Sequence, residues 1–330
     1  LTLLARDIVP IHNLGYREWK GELESSSTRW TVVAEIGIRR AWQSAWLRRM
    51  MFFAWVPSLF MGFMVFLFEQ SQDNSSASSE IFRDLSRVFL PRDAPDQSLP
   101  MEMARVLGSG DSPEQRRQIF WSALLLNLFR RSQPFLLIPI VGVIAPPLIS
   151  QDFRSRAFLL YFSRPLTKVQ YILGKAATIV VYLTMITLFP ALTLFAAGVL
   201  LSPSLSVLEV TWDLPFRILF VSAIIVIPST SLALMLSSLT TESRYASFAW
   251  FAIWIFGFLA YSSVVPFSSP GDSSIIQCVS LFHVFSDVAA WVLDRNLTVS
   301  NIETRLILLG VVTAVSFAVV YRRVSAPMQI

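Results

Sequence analysis

QDFRSRAFLLYFSRPLTKVQYILGK, Gln151 to Lys175, is the polar bridge around which the rest of this chain is organised. It lies between two long apolar runs and carries five basic residues (Arg154, Arg156, Arg164, Lys168 and Lys175) against one acid, Asp152. A connection that basic between two membrane helices belongs on the cytoplasmic side, where Lys and Arg accumulate. Phe153, Phe158, Tyr161 and Phe162 sit among the charges and give the bridge a surface for docking.

The surrounding composition is that of a membrane protein. Over 330 residues the chain is 54% hydrophobic, with a mean hydropathy of +0.57, too apolar for an ordinary soluble domain. The net charge of +5 is concentrated before residue 50 and in the bridge. It reflects topology and anionic lipid, and no nucleic-acid partner is expected. One cysteine, Cys278, rules out an intramolecular disulfide, and no Cys/His cluster points to a metal. The chain opens at Leu1 without a signal-peptide pattern, so the first apolar run is expected to be an uncleaved anchor.

Six runs have the length and apolarity to cross a bilayer: Met51–Phe68, Gln133–Ser150, Ala176–Leu201, Pro215–Leu239, Tyr245–Pro266 and Leu306–Tyr321. Pro57, Pro139, Pro146-Pro147, Pro190 and Pro228 fall inside them. Such breaks survive in lipid where neighbouring helices or hydroxyl side chains satisfy the freed backbone groups, a role open to Ser229, Thr230 and Ser231 beside Pro228. Charge sets the orientation. The segment to Arg49 has eight Lys/Arg, and Arg322-Arg323 follow the last run, whereas Ser202–Leu214 has none and Phe267–Glu303 has one arginine and four acids. Both termini are therefore expected in the cytoplasm.

The expected domains are a cytoplasmic segment, 1–49, and a transmembrane domain, 50–330. The connection 69–132 has eight arginines and nine acids. Loops of that length translocate largely regardless of charge, so it is read as extracytoplasmic. It opens on a disorder-like run, Ser71–Glu80, and closes on a helix started by Asp111-Ser112-Pro113-Glu114 that merges into the second span. Two readings of this loop stand together: a solvated spacer, or a contact for an extracytoplasmic partner.

Trp30–Arg49 carries Ile38, Ala41, Trp42, Ala45 and Trp46 at helical spacing, with Arg39, Arg40, Gln43 and Arg48 elsewhere. That pattern predicts an amphipathic helix in the headgroup region, with Trp30, Trp42 and Trp46 as interfacial anchors in lipid. A soluble helix on its own domain is the alternative, but too little chain precedes it to build one. Ser273–Asp294 has an apolar face interrupted by Gln277, His283 and Asp287. A seventh span there would put Arg322-Arg323 outside, so a helical or re-entrant outer element is expected.

The bridge has internal punctuation. Asp152 to Phe162 can form one amphipathic helix, ended by Ser163-Arg164-Pro165. Thr167 and Gln170 form a T-x-x-Q capping box that starts a new helix at Lys168. Interrupted only at Pro190, that helix would run about 50 Å to Leu201, beyond the roughly 30 Å hydrocarbon core, so its first turns must project.

These residues resemble the hallmark of ABC-2 type transporter permeases: Asp152, Leu159-Leu160, Ser163-Arg164-Pro165-Leu166-Thr167 and Tyr171-Ile172-Leu173-Gly174-Lys175. The resemblance extends over about Trp30 to Arg323 and is nearest to the permeases of copper-enzyme maturation and gliding systems. It implies an all-α integral membrane protein with six transmembrane helices, an interfacial helix, a coupling helix and an outer element before the last span. It also implies a second permease subunit and a separate ABC ATPase subunit, docking on Asp152, Phe153, Arg154, Phe158, Tyr161, Arg164 and Pro165. The alternative for these aromatics is headgroup anchoring. Thr167, Gln170, Gly174 and Lys175 would start the lever helix. The family usually has Glu followed by a Gly-Thr pair; Asp152 and Ser155-Arg156 stand there in this chain.

No G-x-x-x-x-G-K-[ST] phosphate loop occurs, so ATP hydrolysis is assigned to the partner and no cofactor to this chain. Within the apolar runs the one charged residue is Arg217, near an edge, where it can snorkel as an anchor. That disfavours an ion-coupled transporter, which needs a midplane coupling site, and a membrane hydrolase, which needs a base. The aromatic fifth run, with Phe248, Trp250, Phe251, Trp254, Phe256, Phe258 and Tyr261, either packs on a partner subunit or lines a lipid-like substrate path. Packing is preferred, since large rings fill interfaces. The expected function is an exporter permease of the cytoplasmic (inner) membrane. The alternatives are a mechanotransmitting relative that drives an extracytoplasmic partner and an unrelated six-span scaffold.

Overall fold

The computed structural model describes residues 28–72, 113–157, 166–203, 206–264, 277–293 and 301–325. Among these, every regular element is helical, and six helical stretches are long and apolar enough to cross a membrane. Arg29–Trp42 is α1, and Ala45–Gln72 is α2, the first span. Pro113–Asn127 (α3), a π-helical turn at Leu128–Ser132, Gln133–Ile144 (α4) and Pro146–Arg154 (α5) follow end to end as the second span. Lys168–Ile186 (α6) and Leu188–Leu201 (α7) make the third. Val207–Thr211 (α8) leads into Leu214–Leu239 (α9), the fourth, and Ser243–Val264 (α10) is the fifth. A short helix, Leu281–Leu293 (α11), precedes Ile302–Ser325 (α12), the sixth.

Several of these boundaries differ from the sequence reading. The interfacial helix stops at Trp42 and the first span starts at Ala45, so Trp46 belongs to the span. The second span is much longer than Gln133–Ser150: its apolar helix covers Glu114–Arg154, 41 residues, or about 60 Å against a hydrocarbon core of roughly 30 Å. Residues 113–132, assigned to the outer loop, are thus its continuation, as the helix start at Pro113 suggested; residues 73–112 lie outside the described residues. α11 has 13 residues, too few to span, in keeping with an outer element.

The fourth span is the central column. α9 packs against α5, α6, α7, α10, α11 and α12, and its buried face runs from Leu214 to Ser238. The fifth and sixth spans lie at the edge. Trp250 and Trp254 of α10 point inward, Trp250 donating its Nε1–H to Ile138 O at 2.8 Å, while Phe248 and Phe256 are exposed. Phe52, Phe53, Leu59 and Phe135 also face outward. An apolar exterior of this kind suits lipid or another membrane subunit.

Neighbouring spans reach two of the proline breaks. Ser237 of α9 enters the Pro146-Pro147 break: its Oγ accepts from the amides of Ile149 and Ser150 at 3.1 and 3.2 Å and donates to Pro146 O at 2.7 Å. The third span changes direction at Thr187, three residues before Pro190, where the buried Gln133 donates to Thr187 O at 2.9 Å. Ser58 donates to Pro190 O at 2.9 Å. At Pro228 the expectation does not hold. Ser231 bonds back to Pro228 O at 3.0 Å and not to Ile224 O, the carbonyl that the proline leaves free, and the buried hydroxyls of Ser229 and Thr230 meet no partner among the described residues.

Ion pairs join the elements at the end of the bundle away from the bridge. Glu69 of α2 receives the Arg117 Nε–H of α3 at 3.0 and 3.1 Å, both residues buried, with Phe68 stacked on Phe120 beside them. Arg305 of α12 pairs with Asp287 of α11 at 2.9 Å. Arg217 is not a free anchor: its Nε binds Asp213 and its Nη1 binds Val292 O, both at 2.7 Å, which ties α9 to α11. Removing one member of a buried pair strands the other charge. Arg117→Met is therefore expected to destabilise the protein by about 3–5 kcal/mol, read as a lower thermal midpoint in detergent, and the double variant Glu69→Leu/Arg117→Met to recover most of that loss.

Candidate functional site: a clasp at the base of the bridge

The last turns of the second span and the first turns of the third meet under the bridge. α5 ends in a Schellman turn: the Ala157 amide donates to Asp152 O at 3.0 Å and the Arg156 amide to Phe153 O at 3.3 Å. Arg156 takes the left-handed conformation this requires, with φ 53°, a strain of about 1 kcal/mol for a residue with a Cβ. The single coupling helix expected over Asp152–Phe162 is therefore interrupted at 155–157, and Asp152 belongs to the second span. Phe158, Tyr161, Arg164 and Pro165 lie outside the described residues. At Thr167, the N-cap of α6, the capping box is complete. The Gln170 amide donates to Thr167 Oγ1 at 3.2 Å, and the Thr167 amide to Gln170 Oε1 at 3.0 Å.

Asp152 is buried, and its Oδ2 receives two donors from α6, the Tyr171 hydroxyl and the Lys175 ammonium, each at 2.7 Å. Tyr171 and Lys175 are four residues apart and share a helix face; Lys175 Nζ also lies 5.4 Å from the centre of the Tyr171 ring. Both donors thus hold one carboxylate oxygen where little water competes, and the ammonium is neutralised at a level where an isolated charge is costly. The motif Tyr171-Ile172-Leu173-Gly174-Lys175 is read here as the α6 half of a clasp whose other half is Asp152.

Gly174, between those donors, is a contact with α1. A Cβ at Gly174 would stand 2.6 Å from Val33 Cβ and 2.7 Å from Trp30 O, so only glycine lets the helices approach this closely. One turn further on, Gly37 of α1 faces Thr178, whose Oγ1 donates to Gly174 O at 3.2 Å and more weakly to Ala34 O at 3.4 Å. Tyr182 donates to Ile38 O at 2.8 Å, and Trp42 stacks on its ring at 6.2 Å. Tyr171, Gly174, Lys175, Thr178 and Tyr182 therefore form one continuous stripe. The sequence reading treated α1 as lying alone in the interface and missed this contact. The helical spacing of that stripe, with small residues at 37 and 174, was the available signal.

The remaining candidate residues have distinct places. Phe153 is half-buried against the core. Arg154 is exposed, its Nη1 3.1 Å from Glu242 Oε2 before the fifth span. Arg40 of α1 donates to Gln151 Oε1 at 2.6 Å. Trp30 is half-buried, while Trp42 and Trp46 remain exposed. Among the described residues no group of three metal-ligating side chains occurs. What the arrangement can do is mechanical: the second span, the third span, α1 and the connection to the fifth span are joined directly beneath the bridge.

Asp152→Asn keeps a partner for Tyr171 but leaves Lys175 without a counter-charge. A loss of about 3–5 kcal/mol is expected, measured as a lower thermal midpoint, with substantial recovery in Asp152→Asn/Lys175→Met. Gly174→Val is expected to cost about 1–3 kcal/mol by forcing α1 away from α6.

The sequence was compared with known proteins. No curated protein matches the chain. A family model described as ABC-2 family transporter protein matches residues 47–325, from the first turn of the first span to the end of the sixth, with the clasp inside it. The chain belongs to the ABC-2 family of transporter proteins.

Proposed function

We propose that this chain is the membrane-spanning permease subunit of an ATP-binding cassette exporter, driven by a separate ATPase subunit that docks on residues 151–175. The observation that carries this reading is the Asp152–Tyr171–Lys175 clasp. A force applied to the bridge enters the second span through the Schellman turn and the third through the capping box. The clasp then prevents the two from moving separately. Arg154, Phe158, Tyr161, Arg164 and Pro165 form the docking surface together with Phe153, while Asp152 acts through the clasp. The bridge and both termini face the cytoplasm, a reading supported by their excess of Lys and Arg. A second permease subunit packs on the exposed aromatic faces of the first and fifth spans.

One feature favours a related reading, in which the chain transmits force to an extracytoplasmic partner. The second span continues as helix to Pro113 and is tied to the first by the Glu69–Arg117 pair, so motion at the bridge would reach the 73–112 segment through rigid elements.

The complex of the permease with its ATPase is expected to hydrolyse ATP in a vanadate-sensitive manner, and Phe158→Asp to lower that activity at least tenfold. A chain that purifies without ATPase activity and ignores that substitution would defeat the reading. Deletion of residues 73–111 separates the two forms: function of the complex that survives it makes the segment a spacer, and loss of that function with ATPase activity retained supports force transmission.

A further inference from the structure

A cavity of about 230 Å³ opens at the bridge end between α1, the last turns of the second span and α6. Arg40, Gln151, Asp152 and Lys175 line one side, and Val143, Ile144 and Leu148 another. It has several times the ~30 Å³ that a water molecule occupies in the liquid. Two cations face one carboxylate, so the lining is net positive after Lys175 and Asp152 have paired. Arg40 donates one Nη2 hydrogen bond to Gln151; a guanidinium carries five N–H donors, so this leaves capacity for an oxyanion. Ser44 on the rim accepts the Leu47 amide at 3.4 Å and keeps its own hydroxyl proton to donate.

The lining is amphiphilic, and its surroundings are too. Ile36 and Val143, at the cavity, are exposed apolar residues, and Arg48 and Arg49 are exposed on the following turn. α1 packs along the first turns of α6, the part of the third span that its excess length carries towards the headgroups, where anionic lipid is drawn to clustered Lys and Arg. A free phosphate would satisfy the cations and leave the apolar wall against water. A zwitterionic lipid would bring its own cation towards Arg40 and Lys175. An anionic phospholipid presents a phosphate and the start of an acyl chain together, which matches both walls.

We infer that this cavity binds an anionic phospholipid, its phosphate on Arg40 and Ser44 beside Lys175 and its first acyl carbons along Val143 and Ile144. The bound lipid braces α1 against the two spans joined by the clasp. The site does not depend on ATPase docking, so the permease alone suffices to test it.

The full chain, purified in neutral detergent, is titrated with dihexanoyl-phosphatidylglycerol, dihexanoyl-phosphatidylcholine and inorganic phosphate while its thermal midpoint is followed. Phosphatidylglycerol is expected to raise the midpoint saturably, and the other two to leave it unchanged. Arg40→Ala is expected to raise the half-saturating phosphatidylglycerol concentration about tenfold or more, as loss of a charge-assisted hydrogen bond does. Arg40→Lys should fall between the two. Arg39→Ala, whose guanidinium is paired with Glu35 on the exposed side of α1, should match wild type. An equal response to phosphatidylcholine, reproduction of the shift by inorganic phosphate, or an unchanged response in Arg40→Ala would each overturn the assignment.

Discussion

The bridge end of this protein depends on one carboxylate, Asp152, which draws the Tyr171 hydroxyl and the Lys175 ammonium to the same oxygen. Buried charges are tolerated only when paired and hydrogen-bonded, and here each partner supplies what the other lacks. The cost of separating them is high because separation leaves a largely buried ammonium and a largely buried carboxylate without counter-charges. The interaction therefore fixes the register between the second and third spans, although its net contribution to stability against an apolar replacement is small.

Around that pair the packing is built from absences of side chain. Gly174 and Gly37 allow α1 to lie directly on α6, and the contact is completed by hydroxyls of Thr178 and Tyr182 reaching helix carbonyls. Close backbone approach and side-chain hydrogen bonds are the means by which helices associate in lipid, where apolar burial between them contributes little. The opposite end uses a different means: Glu69–Arg117 and Asp287–Arg305 are ion pairs between elements, and Arg217, held by Asp213, reaches the Val292 carbonyl of α11. The proposed docking segment and the lipid cavity both lie at the first end, where α1, two spans and the bridge converge.

Much of the architecture was legible in the sequence. The six spans, the helix before the first, the short element before the last and the family followed from apolar length and the bridge motif. The capping box at Thr167 and Gln170 was readable because its geometry is local. The misses are all matters of continuation or contact. The second span runs on to Glu114 because Arg117 finds Glu69 and Arg130 finds Ser286 on other elements, which hydropathy alone does not register. Arg217 looked like a surface anchor because Val292 is 75 residues away in the chain. Ser229 and Thr230 stood beside a proline, yet the hydroxyl of that span that repairs a break is Ser237, and the break it repairs lies in the second span.

The amino-acid sequence by itself determined where the chain can cross a membrane, which connection is basic, where helices start and that the family is ABC-2. These depend on composition and on interactions within a few residues. Only the tertiary structure decided that Asp152 faces inward to Tyr171 and Lys175, that Gly174 is a seat for α1 and that Arg40 and Lys175 share a cavity. Each of these joins residues far apart in the chain, and the direction in which a side chain at a helix end points is set by the neighbouring helix that packs against it.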